Sequence, residues 1–262
     1  MTGILRIEMR RSLLVRLSPL AAAALVALMV NDIHTWRGIW PEGSAHISAP
    51  LLFIGPLMGG VGAWEVQRRC LAGSARGARS GAAPWITPLL IAHLLSGAAV
   101  IAAGALCAII VNLASGAPAG FLWPSYVLVA LACLTECIAV GLLLGRLGGP
   151  AWFAPVITVM LLFLRLVITL PGSGDAMRFR FTRLFLSGRA SVTLSPIGVA
   201  LAVLEAGLVV VLAWSVPDLI AHTRAIRART AYPWSRAHRR TVAVGSLGCV
   251  VAGALVLTSP RL

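Results

Sequence analysis

Three ionisable residues stand inside long apolar runs: Glu136 in "CLTEC", Arg165 in "FLRLV" and Glu205 in "VLEAG". A charge at the centre of a membrane helix costs roughly 2.5–3.5 kcal/mol on insertion scales, so each needs a partner or water. Counted from the outer ends of their runs at ~1.5 Å per residue, Arg165 lies about 9 Å deep, Glu205 about 15 Å and Glu136 about 20 Å. A long Arg side chain bridges the first two if their helices touch. An Arg165–Glu205 ion pair that locks helices together is therefore expected, with Glu136 as a further intramembrane polar group. One pair does not make a proton relay.

Other constellations are poor. The histidines, His34, His46, His93, His222 and His238, do not share an apolar run, and H-E-x-x-H is absent. Ser96 lies three residues from His93, too weak a coincidence for nucleophilic catalysis. Asp32, Asp175 and Asp218 are far apart in sequence. Cys133 and Cys137 share a helix face, but Glu136 points elsewhere and no further metal ligand is near. The five cysteines imply no disulfide framework. A Walker motif needs a lysine, and every one of the 22 basic residues is arginine, as in a GC-rich bacterial coding sequence. No catalytic, cofactor or metal site is expected, and no enzyme.

The elements around these residues follow from composition. Of 262 residues, 59% are hydrophobic and 11% charged, against about 25% charged in a soluble domain. The mean hydropathy is +0.92. The expected fold class is an all-α integral membrane protein, a bundle of six to seven transmembrane helices. Seven stretches approach the ~20 apolar residues a crossing needs: 13–30, 47–64, 85–113, 123–145, 150–171, 195–217 and 241–259. The second is the weakest, broken by Pro50, Pro56 and Gly59-Gly60. Ahead of the first, residues 3–16 alternate apolar side chains with Glu8, Arg10 and Arg11, so a helix lying on the interface is expected. A signal peptide is not expected, since the charged n-region is long and the A-x-A-like stretch is not followed by anything soluble.

Arginine gives the orientation. With the N-terminus in the cytoplasm, the inside segments collect Arg6, Arg10, Arg11 and Arg16, then Arg68, Arg69, Arg76 and Arg79, then Arg146, then the arginines of 223–240. The net charge of +14 is thus a topology signal, and no groove-reading motif accompanies it to indicate nucleic acid. The exception is 172–193, basic yet outside, whose interleaved Phe and Arg residues point to an amphipathic piece on the outer leaflet. Tryptophans 36, 40, 64, 85, 123, 152 and 214 fall near span ends, where an aromatic belt is expected.

Between the second and third spans runs "WEVQRRCLAGSARGARSGAAPW", Trp64 to Trp85. By its residues alone it is a positive-inside loop, too rich in small residues to build a domain. A short helix is expected around Glu65–Leu71, with Gly73 and Gly77 permitting the turn back. This strip, set in its layout, resembles the type-2 ABC exporter permease family over roughly residues 1–222. The shared features are an interfacial helix, a polar outer loop, a cytoplasmic loop opening on Glu, three closely spaced spans and a sixth span after "LSPIG". The resemblance implies a permease subunit of an ATP-driven exporter, paired as a homodimer or heterodimer in the plasma membrane. It implies that residues 65–84 dock a separate ATP-binding-cassette ATPase through Glu65, Arg68, Arg69, Gly73, Arg76, Gly77 and Arg79. Residues 223–262, a basic cytoplasmic segment and a seventh span, depart from the six-span pattern. The alternative is a non-transport scaffold or regulatory membrane anchor, and a lipid-metabolising enzyme ranks last.

Overall fold

The computed structural model describes residues 2–75, 86–147, 152–168 and 196–227. Among them every regular element is helical. In chain order these are α1 (Thr2–Arg11), α2 (Leu13–Asn31), α3 (Trp40–His46), α4 (Leu51–Ala75), α5 (Ile86–Ala114), α6 (Pro124–Leu147), α7 (Phe153–Ile168) and α8 (Pro196–Arg227). A single 3₁₀ turn, Ile33–Thr35, separates α2 from α3. Four stretches are long and apolar enough to cross a membrane: Leu13–Asn31, Trp40–Ala72, Ile86–Ala114 and Pro124–Leu147. They mark the chain as a membrane protein. Shorter apolar stretches lie in α7 and α8, at Phe153–Leu162 and Ala202–Ser215. The expected seventh span, 241–259, and the amphipathic segment 172–193 lie outside the described residues.

The centre of the bundle is α4 packed on α6, with α7 and α8 against that pair and α2 and α5 packed together beside it. The α4–α6 contact is backbone on backbone. A Cβ added to Gly141 would sit 2.0 Å from the carbonyl oxygen of Gly59; one on Gly59 would sit 2.6 Å from that of Cys137; one on Gly145, 2.6 Å from that of Ala63. These residues repeat every fourth position on each helix: Gly55, Gly59 and Ala63 on α4, Cys137, Gly141 and Gly145 on α6. Small residues at that spacing let helices approach closely, and close packing rather than water exclusion drives association in lipid. The glycines read from sequence as a weakness of the second span are therefore its packing surface.

Prolines inside the helices leave carbonyls without their usual donors, because proline has no N–H. At Pro19 the orphan is the carbonyl of Val15, and the Ser18 hydroxyl donates to it at 2.8 Å. At Pro217 the orphan is the carbonyl of Ala213, and Arg146 of α6 reaches across to it with Nη1 at 3.0 Å, bonding the Trp214 carbonyl at 2.7 Å as well. In both arrangements a side chain supplies the donor that proline lacks, as membrane helices with internal prolines require.

The α2–α3 and α5–α6 connections share one end of the bundle. Trp40 Nε1 donates to the Pro118 carbonyl at 2.9 Å, the Trp123 amide donates to Ser44 Oγ at 2.9 Å, and Trp40 stacks on Phe121. That juxtaposition is what alternating spans require. Two tryptophans depart from the expected belt: Trp36 is fully buried with Nε1 donating to the Met29 carbonyl, and Trp40 is buried too. They hold the end of the bundle together, whereas Trp64, Trp123 and Trp152 are exposed.

Candidate functional site

At the opposite end, α1, α2, α4 and α5 meet around one carboxylate. Ser12 breaks the N-terminal helix in two: its backbone is extended (φ −66°, ψ 127°), and it caps α2 by accepting from the Val15 amide. Sequence reading ran one interfacial helix through this point to residue 16. The break exposes the first amides of α2, which need acceptors. Glu65 supplies them from α4. Its Oε2 accepts from Ser12 Oγ at 2.8 Å, the Leu13 amide at 3.0 Å and the Leu14 amide at 3.4 Å. An anion at a helix N-terminus also meets the positive end of the helix dipole.

Arg69, one turn further along α4, joins this carboxylate to α1. Its Nη2 donates to Glu65 Oε1 at 2.6 Å, and its Nη1 pairs with Glu8 Oε2. From α5, His93 Nε2 lies 3.2 Å from Glu65 Oε2 and 3.1 Å from Ser12 Oγ. Since the serine proton goes to Glu65, both neighbours of Nε2 are acceptors there, and the network assigns the proton to that nitrogen. Nδ1 is buried with no hydrogen-bond partner among the described residues, and it faces α4 at Gly62. His93 is fully buried, and Glu65 and Glu8 are 6% and 9% exposed.

Ser12, His93 and Glu65 do not form a catalytic triad. A triad needs the hydroxyl on one ring nitrogen and the carboxylate on the other. Here both crowd Nε2, and the serine proton already belongs to the carboxylate. The same holds at the other end, where Thr35 Oγ1 and Asp32 Oδ2 lie 3.1 and 3.0 Å from the same Nε2 of His46. Ser96 donates to the Ala92 carbonyl, not to His93. Among the described residues, no three His, Cys, Asp or Glu side chains are grouped to hold a metal. The cluster's geometry makes it a joint: one carboxylate caps the start of α2, holds α1 through Arg69 and Glu8, and ties α4 to α5 through His93.

The residues singled out from sequence divide as follows. Glu65 and Arg69 belong to the joint, with Glu65 directed inward. Arg68, three residues on from Glu65, is exposed. Gly73 falls within α4, which runs unbroken to Ala75, so the short separate helix at Glu65–Leu71 is the end of the second span itself. Arg76, Gly77 and Arg79 lie outside the described residues. Glu136 is buried on α6 and Glu205 half-buried on α8, while the side chain of Arg165 lies outside the described residues. Glu8, Ser12 and His93 were missed as a group. A serine directly after "EMRR" and before an apolar run is an N-cap signal, but nothing local links it to positions 65 and 93.

No family model, curated protein or solved structure matches the chain. The functional reading rests on the residues and their geometry.

Proposed function

We propose that the chain is the membrane-spanning permease subunit of an ATP-driven ABC exporter of the type-2 kind. It crosses the plasma membrane six to seven times with a cytoplasmic N-terminus, and it works as a homodimer or heterodimer energised by a separate ATPase. The observation that carries the reading is the joint. α4 continues beyond the apolar core to Ala75, and its Glu65 and Arg69 grip α1, α2 and α5 at once. Force applied to the cytoplasmic end of α4 by a closing ATPase reaches three further helices through these contacts. A backbone-to-backbone α4–α6 seam then passes it to α6 and α8 as a rigid displacement.

The division of labour differs from that implied by the loop alone. Glu65 and Arg69 transmit, and the exposed Arg68, with Arg76 and Arg79 beyond it, contacts the partner. The test is co-expression with any ATP-binding-cassette ATPase found encoded in a neighbouring reading frame. Arg68→Glu should abolish co-purification, while Glu65→Gln should leave the ATPase bound but reduce substrate-stimulated turnover. Retention of the ATPase by a loop of scrambled order and equal charge would refute docking. A chain that co-purifies with no ATPase would instead favour the scaffold or regulatory anchor.

A further inference from the structure

We infer that α1 presents a binding surface for anionic phospholipid headgroups. The inference is independent of the transport reading and stands or falls on the N-terminal helix alone. Glu8 is the acidic residue of α1, and it is turned inward onto Arg69, 9% exposed. The outward face is left with Arg6, Arg10 and Arg11, all exposed, and no acid among them. Residues four apart share a helix face, so Arg6 and Arg10 form one stripe. Ile7 and Met9 flank it, 50% and 38% exposed.

Apolar side chains beside guanidinium groups match the boundary between headgroups and acyl chains, where both kinds of surface are satisfied. An acidic protein surface would use the charges and leave Ile7 and Met9 in water. Continuity points the same way. Immediately after Ser12, α2 turns Leu13, Leu17 and Leu20 outward, and only 17% of its apolar window is buried in the bundle. Arg16 closes the bend by donating through Nε and Nη2 to the Arg10 carbonyl at 3.1 and 2.9 Å, while itself exposed. The basic stripe therefore begins where a lipid-facing helix surface begins, at headgroup level. The joint does two things at once: it anchors α1, and it removes the helix's acid from the face that meets phosphate.

An arginine held at an anionic membrane surface is worth about fivefold in affinity, so three amount to on the order of a hundredfold. The full chain in neutral detergent is titrated with phosphatidylglycerol or phosphatidylcholine, and retained lipid is counted by native mass spectrometry. Tight binding of phosphatidylglycerol over phosphatidylcholine, weakened by added salt, is expected. The combined variant Arg6→Gln, Arg10→Gln, Arg11→Gln should lose most of that preference and bind phosphatidylcholine as before, while the triple Lys variant should keep it. Equal binding of the two lipids by the unaltered chain, a measurement that needs no variant, overturns the inference. So does an unchanged preference in the Gln variant. Displacement of phosphatidylglycerol by inorganic phosphate overturns it in favour of a bare anion site. A wild-type chain without lipid preference whose α1 arginines are protected only by a co-purifying acidic protein overturns it in favour of a protein partner.

Discussion

At the scale of single residues, Glu65 does the most. A carboxylate buried at the first turn of α2 replaces hydration by contacts from Ser12, two backbone amides, His93 and Arg69. Removing it leaves those donors and one guanidinium in a poorly hydrated place, and breaking one side of a buried charged network costs about 3–5 kcal/mol. Glu65→Ala should destabilise the protein by about 3 kcal/mol, measured by reversible unfolding in mixed micelles. Because Glu8 and Glu65 share Arg69, Glu8→Ala combined with Arg69→Ala should cost less than the two single losses added. Strict additivity would mean that the Glu8–Arg69 pair contributes nothing. The sequence already singled out Glu65 and Arg69, from their place at the mouth of a basic loop. It did not link Glu8 and His93 to them, because a contact between positions 8, 65 and 93 depends on how α1 and α5 lie against α4.

Among the helices, the α4–α6 seam governs. Gly141→Ala places a methyl group where the Gly59 carbonyl already is, so the helices must separate. The expected loss is about 3 kcal/mol, at the upper end of overpacking costs. Gly207→Ala on α8 is the control: among the described residues nothing lies within 4 Å of the added Cβ. It should be neutral, or stabilising by up to about 1 kcal/mol through helix propensity. Equal losses at the two glycines would show that the seam is not close-packed. A second element-level test concerns the gap at Pro217. Arg146→Leu removes the donor to the Ala213 carbonyl and should cost about 2 kcal/mol, as for hydrogen bonds from charged groups. In a Pro217→Ala background the helix regains its own amide donor, and the cost of Arg146→Leu should fall by at least half. An unchanged cost would assign Arg146 some other role. The small-residue spacing on α4 and α6 is present in the sequence, but Gly59 within it also reads as a break in the second span. Which reading holds depends on whether a second helix with matching gaps lies opposite.

For the molecule as a whole, the prediction is sidedness. The ends of the bundle differ in chemistry: Arg6, Arg10, Arg11, Arg68 and Arg146 mark one, and the Trp40–Pro118 and Ser44–Trp123 contacts mark the other. Positive charge favours the cytoplasm. With native cysteines replaced, a cysteine at the exposed Ser115 should react with a membrane-impermeant maleimide on intact cells, and one at the exposed Arg68 only after permeabilisation. The reverse pattern would invert the topology.

The sequence by itself determined that the chain enters a membrane and roughly where. The expected spans 13–30, 85–113 and 123–145 agree closely with Leu13–Asn31, Ile86–Ala114 and Pro124–Leu147. Transfer of apolar side chains into lipid is additive along a chain, so a running average finds it. The same average stops α4 at residue 64, although the helix continues to Ala75. Backbone hydrogen bonds carry a helix through polar residues once its neighbours hold it, and hydropathy does not register them. Tertiary structure decided the rest: that Glu65 faces inward and caps another helix, that Trp36 and Trp40 are internal, that glycines make the central seam, and that Arg146 stands in for an amide that Pro217 lacks. Each depends on pairing groups distant in the chain, and only packing brings those groups within 3 Å or so.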